Sequence, residues 1–417
     1  MTRFTDGRPS RRDALRAGAA TLAAGVAGLA GCSGLPPLGS RVRYGTVPAP
    51  DARTPTYRQW LPEPDAFPES ADADDGYDVH SYEPPADDAP AWARGSVARS
   101  LVVYHSDYVG VHVDDVDVAI GISSIFETGS AAVLAGAVDP AVVRETAAAT
   151  TYEAAGTENG FDVYTRSNRD RVLGVSTAGL VFGNGPNARD IVAIVTAAQR
   201  GDGQRYHESS ADFDALSASA GQRRWTWLMP GTIRSGDQQA TDTAYWDTVG
   251  RAFAFSHDDE SAYSVRTWLF PEGYEPTGGE VTTALERRAR ADEADAVEVS
   301  IDGRVATMEL ARPMAQFREE SANTLVAPHV TWQTTYDPAA ETVQFEHVVG
   351  DSVDTDRLVV ALGEGDPITE FGVGDSLDPG ESLTVSTAGV ESGTAVRLVY
   401  ESADGNSTVT LARRELP

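Results

Sequence analysis

The basic residues of this chain are all arginine, and carboxylates heavily outnumber them. The 417 residues include no lysine, and 33 arginines face 63 aspartates and glutamates, which gives a formal charge of −30. In dilute salt this charge density opposes compaction, whereas at about 1 M salt the screening length falls to about 3 Å. Arginine keeps its charge and pairs with carboxylates through a planar set of donors. We therefore expect a fold suited to concentrated salt, with a surface that repels the phosphates of nucleic acids.

The rest of the composition indicates a folded, multidomain chain. Hydrophobic residues make up 41% of the sequence, which is enough for buried cores, and at roughly 150 residues per domain two or three domains are expected. The single cysteine excludes internal disulfides and cysteine-rich metal sites. The absence of lysine together with an aspartate-rich sequence resembles proteins of extreme halophiles, haloarchaea in particular. The alternative is an ordinary acidic protein from a GC-rich genome.

Residues 1–31 predict an export signal. Arg11 and Arg12 form an adjacent pair ahead of an Ala/Gly-rich run over residues 14–30, and that run is short for a membrane span. The arrangement resembles a twin-arginine (Tat) signal. The run ends in a sequence that resembles the lipobox of lipoproteins: Leu29, Ala30, Gly31 and Cys32. The alternative is a chance match within an alanine-rich leader.

The lipobox resemblance implies that Cys32 is the first mature residue and the site of lipid attachment. By the same resemblance the lipid is an archaeal diether, and two chains anchor a protein stably where one acyl chain binds only marginally. Removal of residues 1–31 leaves 28 arginines against 61 acidic residues, a formal charge of −33. We therefore expect a protein exported by the Tat route and held at the extracellular face of the cell membrane.

Residues 32–95 predict a proline-rich acidic tether. This segment holds 11 of the 23 prolines and shows neither helical nor strand periodicity. Tyr57, Trp60 and Phe67 are unusual in a tether, so part of the segment is expected to dock on the folded body. The acidic run Asp72–Asp78 lacks the ligand spacing of a calcium loop, and a solvated acidic stretch is the preferred interpretation.

Two α+β blocks are predicted next, over residues 96–221 and 222–324. The first combines short apolar strands, among them residues 100–104, with helices over 141–155 and 188–199. The second combines strands over 251–255 and 263–270 with a charged helix over 280–294 and a hairpin across Asp302-Gly303. The two blocks are interpreted as ferredoxin-like units, and the pattern resembles two-copy ferredoxin-like exported proteins of haloarchaea.

Residues 325–417 predict an all-β, sandwich-like domain. Six short alternating segments are separated by turn sequences such as Asp337-Pro338 and Asp378-Pro379-Gly380. The hairpin and turn residues of this region resemble the β-domain of haloarchaeal type IV pilin-like proteins, which implies a fold and no chemistry. The fold class expected for the whole chain is α+β, with two ferredoxin-like units followed by the β-sandwich.

Residues suited to catalysis or metal binding form no recognised motif. The sequence has no GxSxG, Walker, HExxH or strand-following GxGxxG pattern. His105 and His112 lie near three aspartates with which they could form a metal site: Asp107, Asp114 and Asp115. An exposed acidic loop is the preferred interpretation. His257–Glu260 is interpreted as a hairpin tip. We predict no catalytic residue, no metal site and no cofactor.

Four tryptophans and one glycosylation sequon are the remaining candidates for a binding or modification site. Four tryptophans are interpreted as core rather than as a carbohydrate platform: Trp225, Trp227, Trp246 and Trp268. Asn406, in Asn-Ser-Thr, is a possible N-glycosylation site on a predicted turn.

The function expected from these patterns is non-enzymatic. The chain would serve in adhesion, envelope organisation or complex assembly at the cell surface, with the membrane and other envelope proteins as partners. One alternative is a ligand-binding lipoprotein of a transport system, although the two-lobed repeat typical of solute-binding proteins is absent. A second alternative is an extracellular hydrolase.

Overall fold

The computed structural model describes residues 52–67, 76–85, 96–125, 129–166, 169–233, 248–274, 294–321, 324–363 and 374–417, with a few single residues such as Val47 between these ranges. The signal segment, Cys32, Trp246 and nearly all of the helix predicted over 280–294 lie outside the described residues.

Twelve strands of the described chain form one sheet, in which every neighbouring pair is antiparallel. Their spatial order is β11-β12-β10-β9-β8-β1-β2-β3-β7-β6-β5-β4. The strands on both sides of residue 222 therefore belong to the same sheet. The strands are β1 (Asp78–Tyr82), β2 (Val118–Ile125), β3 (Gly129–Ala135), β4 (Tyr152–Glu158), β5 (Phe161–Arg166), β6 (Arg171–Ser176), β7 (Gly179–Asn184), β8 (Trp225–Ile233), β9 (Thr248–His257), β10 (Ser261–Leu269), β11 (Ala296–Asp302) and β12 (Val305–Pro313).

Helices cover the two faces of this sheet, so its central strands are buried on both sides. On β2, Ile120 and Ile122 face one core while Ala119 between them faces the other, as the period of a strand requires. The first core contains apolar residues of α3 and α5, and the second contains those of α1 and α2. The helices are α1 (Val97–His105), α2 (Pro140–Ala148), α3 (Ala188–Arg200), α4 (Tyr206–Ser209), α5 (Ala211–Ala220) and α6 (Met314–Glu320).

Much of the segment predicted as a tether is part of the folded body. Tyr57, Trp60 and Phe67 are buried in the first core, in agreement with the expected docking. β1 pairs with β2 on one side and β8 on the other, so it lies inside the sheet. The tether prediction is wrong for these residues because burial of large aromatic side chains outweighs the extended preference of the neighbouring prolines.

Residues 100–104, predicted as a strand, belong to helix α1. The Ser96 hydroxyl accepts a hydrogen bond from the Arg99 N–H at 3.0 Å and caps the helix. Ala98 and Val102, four residues apart, are both fully buried on one face. The β-branched run favoured a strand locally, and the cap together with burial at helical spacing overrides it.

The ferredoxin-like arrangement is also a wrong prediction. A ferredoxin-like unit is built from split βαβ elements, in which a helix joins two parallel strands with another strand between them. Within residues 96–221, α2 joins β3 and β4, and three strands (β7, β6 and β5) lie between these two in the sheet. Most strands and hairpins were predicted in kind, but sheet order depends on long-range pairing that strand patterns do not record.

The C-terminal region is all-β, as predicted, and the chain as a whole is α+β. Two three-stranded sheets, β13-β14-β18 and β16-β19-β20, share one core that includes Phe345, Leu383 and Leu398. A two-stranded pair, β15-β17, lies beside them. The strands are β13 (Val330–Asp337), β14 (Thr342–Gly350), β15 (Val353–Asp354), β16 (Leu358–Leu362), β17 (Ser376–Leu377), β18 (Ser382–Ser386), β19 (Ala395–Glu401) and β20 (Thr408–Glu415).

Candidate functional site

The large sheet and the C-terminal β region meet beside helix α1, and we call this contact the junction. Arg99 Nη1 donates to the Ala327 carbonyl at 2.6 Å, and Thr331 Oγ1 donates to the Tyr108 carbonyl at 2.6 Å. Both donors reach backbone acceptors more than 200 residues away in sequence. The junction gathers most of the titratable side chains that the sequence marked for chemistry, so its geometry decides what they can do.

Asp107 lies at the centre of the junction and is only 3% exposed. Its carboxylate accepts hydrogen bonds from Arg166 Nη1 at 2.7 Å, Arg171 Nη1 at 2.6 Å and the Tyr152 hydroxyl at 2.7 Å. Burial alone would raise the pKa of Asp107, but the two guanidinium groups lower it below its ordinary range. The carboxylate therefore stays charged and fully engaged, which suits a structural ion pair and not a general base.

A chain of hydrogen bonds runs through the buried side chain of His329. The Val113 N–H donates to His329 Nδ1 at 3.1 Å, so Nδ1 is an acceptor and Nε2 carries the hydrogen. Nε2 lies 3.2 Å from Ser106 Oγ, which donates onward to the Val102 carbonyl at 2.8 Å. Burial lowers the pKa of His329 to about 3, and the charge of Arg99 nearby adds to the shift. His329 is therefore neutral near pH 7 with both ring nitrogens in use.

His112 bridges the same region to the C-terminal β region. Its Nδ1 accepts the Asp114 N–H at 3.1 Å, and its Nε2 lies 3.1 Å from Asp351 Oδ2. The same Asp351 oxygen accepts the backbone N–H of His329 at 2.8 Å. Burial alone would raise the pKa of Asp351, but the hydrogen bond from His112 lowers it. These contacts fix the loop after α1 against the start of β13.

Arg99 and Asp114 form a bidentate pair within the junction. Arg99 Nε lies 3.0 Å from Asp114 Oδ1, and Nη2 lies 3.0 Å from Oδ2. The Tyr82 hydroxyl donates to Asp114 Oδ1 at 3.1 Å. Burial would raise the pKa of Asp114, and the hydrogen bond from Arg99 lowers it overall. A parallel pair of charge-assisted hydrogen bonds of this kind holds α1 in a fixed orientation.

Among the candidate metal ligands, His112 and Asp114 lie together, with Nδ1 3.6 Å from Oδ2, while the others have separate partners or are exposed. His105 Nδ1 pairs with Ser130 Oγ at 2.7 Å, His112 pairs with Asp351, and Asp115 is exposed. Burial, and then Arg171, lower the pKa of His105 to about 3. No group of three or more His, Cys, Asp and Glu residues in the described part of the chain has the arrangement of a metal site.

The other sequence candidates have simple structural settings. His257–Glu260 lies at the β9–β10 hairpin tip, as predicted, where Asp258 Oδ1 accepts the Glu260 N–H at 2.8 Å. Trp268 is core, Trp227 stacks on His80 with ring centroids 5.0 Å apart, and Trp225 is half-buried.

The sequon lies on the exposed turn between β19 and β20. Asn406 is exposed, and its side-chain amide donates to Asp404 Oδ2 at 2.8 Å. Asp78 is the start of β1, while Asp72 to Asp75 lie outside the described residues, as do Arg11, Arg12 and the lipobox.

An open cavity that we call the α1 groove lies on the surface next to the junction. Its volume is about 470 Å³. The described residues that line it come from α1, the start of the C-terminal region and β20, and none of them is acidic or basic: Ser96, Val97, Ser100, Leu101, Tyr104, Thr324, Leu325, Ser407, Thr408, Val409 and Thr410. Val97 is 58% exposed and Tyr104 is 37% exposed. In a chain with a formal charge of −30, an uncharged surface groove is an exception that calls for a role.

A smaller cavity of about 200 Å³ continues from the groove toward the large sheet. It shares Ser96, Val97 and Thr324 with the groove. Four aromatic side chains line it: Tyr82, Trp225, Phe255 and Phe317. Arg224 and His257 supply its basic groups.

Sequence reasoning missed the residues that build the junction. Arg99, Arg166 and Arg171 lie within apolar helix and strand patterns, where an arginine signals a buried partner, but that pattern does not identify the partner. Asp351 lies 239 residues from His112, so no local spacing could have paired them.

No protein-family model matches this sequence, and no curated protein matches it. Among solved structures, crystal forms III, IV and I of TP0453 are similar to this chain, with 9% sequence identity each and TM-scores of 0.34, 0.36 and 0.35. They cover 60%, 63% and 59% of this chain and 92%, 95% and 94% of that one. Similarity at this level carries no argument about function. Separately, none of the helices among the described residues is long and apolar enough to cross a membrane.

Proposed function

We propose that this is a lipid-anchored protein of the outer face of a halophilic archaeal membrane, which assembles non-enzymatically with another envelope protein through the α1 groove. The anchor rests on the order of Arg11, Arg12, the apolar run and Cys32 in the sequence. The assembly role rests on one observation, the uncharged and exposed lining of the groove. The side chains that could carry chemistry are engaged in the junction, which favours binding over catalysis.

The occupant proposed for the groove is an extended, uncharged segment of the partner. One wall of the groove is the start of β20, which pairs with β19 alone among the described strands and is therefore an edge strand. An edge strand offers backbone N–H and C=O groups to an added strand, and neighbouring apolar pockets select its side chains. Val97 and Leu101 would supply apolar contacts from the opposite wall.

Ligand binding for transport is the second candidate, because about 470 Å³ falls within the roughly 300–1,000 Å³ typical of small-molecule sites. The edge strand in its wall favours a polypeptide, because its row of backbone N–H and C=O groups can pair with the backbone of an added strand.

The groove is tested by comparing two exposed helix valines. The C-terminally tagged protein, kept in high salt, is recovered from its own membranes and its partners are identified by mass spectrometry. Val97→Asp places a carboxylate in the groove at the first turn of α1, where an acidic residue is compatible with the helix dipole. Val142→Asp makes the same change on α2, where Val142 is 44% exposed and lies outside the groove lining.

We expect one reproducible envelope partner with the wild type and with Val142→Asp, and its loss with Val97→Asp. Recovery of the same partners by all three proteins would contradict the assembly role. Recovery of no partner, together with a small molecule released on denaturation of the wild type, would favour the transport alternative.

The anchor is tested separately with Cys32→Ser. We expect this variant to leave the membrane fraction while the folded body keeps its melting temperature. Retention of the variant at the membrane would overturn lipid attachment at Cys32 without bearing on the groove.

A further inference from the structure

The cavity of about 200 Å³ beside the α1 groove, which we call the aromatic cavity, is lined by one row of rings on the large sheet. Tyr82 pairs directly with Trp225, and Trp225 with Phe255, across strands β1, β8 and β9. Directly paired residues of neighbouring strands lie on the same face of a sheet. Phe317 of α6 stacks on Phe255 with ring centroids 4.6 Å apart and adds a fourth ring. The cavity is therefore shaped by aromatic surfaces from both the sheet and a helix.

The charge of the aromatic cavity comes from Arg224. This side chain is half-buried and lines the cavity, and its buried Nη1 has no hydrogen-bond partner among the described residues. None of the described residues that line the cavity is acidic. Burial, and then repulsion from Arg224, lower the pKa of His257, so this second basic side chain is neutral near pH 7. The described lining therefore offers one cation and no counter-charge, in a chain with a formal charge of −30.

A second donor without an acceptor belongs to the next residue along the chain. The indole Nε1 of Trp225 is buried and forms no hydrogen bond with a described residue. Buried donors that lack an acceptor are uncommon in folded proteins. The guanidinium and the indole N–H can only donate, so a group that satisfies either of them must be an acceptor. A carboxylate is the acceptor best suited to Arg224, because its two oxygens and its charge match the guanidinium.

The volume of the aromatic cavity limits the apolar part of a ligand to one ring. The cavity measures about 200 Å³, and an engineered apolar cavity of roughly 150 Å³ is large enough to bind benzene. One ring with a short acidic side chain therefore fits, whereas a fused ring system or a long acyl chain exceeds the space. Aromatic side chains pack favourably edge-on or offset against another ring, so the lining favours an aromatic ligand.

We propose that the aromatic cavity binds a carboxylate attached to a single aromatic ring, with the ring against Trp225 and Phe255 and the carboxylate paired with Arg224. Two sources share this chemistry: a free aryl-alkanoic acid, and the C-terminal residue of a polypeptide that ends in an aromatic side chain. The cavity shares three lining residues with the α1 groove, so a polypeptide in the groove could place its last residue here. The site needs no occupant in the groove, so either proposal can fail alone.

Binding is measured by isothermal titration calorimetry on the full chain at constant high salt, with two matched pairs of probes. Phenylacetate is compared with the neutral phenylacetamide, and a short uncharged peptide that ends in phenylalanine is compared with the same peptide amidated at its C-terminus. We expect at least one of the two carboxylates to bind at least ten-fold more tightly than its amide. Arg224→Gln should abolish this preference, while Arg397→Gln, at an exposed arginine of β19 outside both cavities, should keep it.

The source of the carboxylate is resolved with Leu101→Ala, which changes a residue that lines the α1 groove but not the aromatic cavity. A peptide that binds more tightly than phenylacetate, and loses this advantage in Leu101→Ala, indicates a polypeptide C-terminus. Phenylacetate that binds at least as tightly as the peptide, with equal affinity in Leu101→Ala, indicates a free acid. Both results support the carboxylate site.

A crystal soaked with para-bromophenylacetate locates the ring directly by the anomalous scattering of bromine, and we expect the peak inside the aromatic cavity. A peak only elsewhere would overturn the proposal. So would equal binding of the carboxylates and their amides, no binding of either carboxylate, or a carboxylate preference that survives Arg224→Gln. If Arg224→Gln does not fold, Arg224→Lys keeps the charge without the fork of donors, and it should reduce the preference.

Discussion

Asp107 is the residue on which the junction depends most, because its buried carboxylate pairs with both Arg166 and Arg171. Sequence reasoning marked Asp107 as one of several acidic residues in a loop, and it placed neither arginine beside it. The separations of 59 and 64 residues explain this, since the three side chains meet only after β5 and β6 have joined the sheet. The residue type showed that Asp107 could form an ion pair, and the sheet topology determines that its partners are Arg166 and Arg171.

We predict that Asp107→Asn destabilises the protein by about 3–5 kcal/mol, the typical cost when one partner of a buried ion pair is removed. The neutral amide removes the buried negative charge that Arg166 and Arg171 share. Denaturant unfolding in high salt measures the change. Asp162→Asn is the matched control, because Asp162 forms an exposed pair with Arg144 at 3.4 Å, for which about 0–1 kcal/mol is expected. Equal effects of the two substitutions would contradict the role given to Asp107.

His329 predicts a specific dependence of stability on pH. Its folded-state pKa, about 3, lies below the ordinary value of about 6.5, so the unfolded chain binds the proton first. The free energy of unfolding is therefore complete above about pH 6.5 and declines as the pH falls toward about 3, with a slope of about 1.4 kcal/mol per pH unit for this one group.

The contribution of His329 is isolated by His329→Asn, which keeps an acceptor near the Val113 N–H. Between pH 6 and pH 4.5 we expect the slope of this variant to fall by about 1.4 kcal/mol per pH unit. His207→Asn, at a half-buried histidine, should change the slope less. An unchanged slope in His329→Asn would show that His329 is not buried in its neutral form.

At the scale of elements, strands and hairpins were predicted well where the signal is local. The pairing of β9 with β10 and of β11 with β12, and the alternation of the C-terminal strands, followed from apolar period and turn residues. Helix α1 was not predicted, because Val102 and Val103 favour a strand locally, and only the helix cap and burial of one face override that preference. β1 was not predicted because its two neighbours are distant in the sequence.

We predict that β1 is indispensable. A chain that begins at residue 47 should fold in high salt, whereas a chain that begins at residue 83 should not. The second truncation removes β1 from between β2 and β8, and it also removes the buried rings of Tyr57, Trp60 and Phe67. Far-UV circular dichroism and thermal melting distinguish the two. A cooperative transition in the shorter chain would mean that residues 47–82 are a dispensable extension.

At the scale of the whole molecule, a strongly acidic chain buries a small cluster of arginines. Acidic residues give the chain its formal charge of −30, while a cluster of arginines with excess positive charge is buried at the junction. Net charge and arginine content were evident in the sequence. The burial of Arg166 and Arg171 was not, because composition does not show which residues of a type are buried.

We predict that dilution from about 2 M to about 0.1 M salt destabilises the fold, because the screening length grows to about 10 Å and the acidic surface repels itself. Thermal melting in sodium gluconate isolates screening from any effect of chloride. The melting temperature should fall steadily with dilution in sodium gluconate and in sodium chloride. A constant melting temperature in gluconate would contradict the halophilic interpretation.

The position of β1 has a consequence for synthesis at the ribosome. β1 is the first of the described strands, and its second edge is paired only when β8 is made, since Tyr82 pairs with Trp225 about 140 residues later. At about 5–20 residues per second, that edge stays open for roughly 7–30 s after it leaves the ribosome. The nascent protein must therefore be protected from aggregation through its earliest strand, until the central part of the sheet closes.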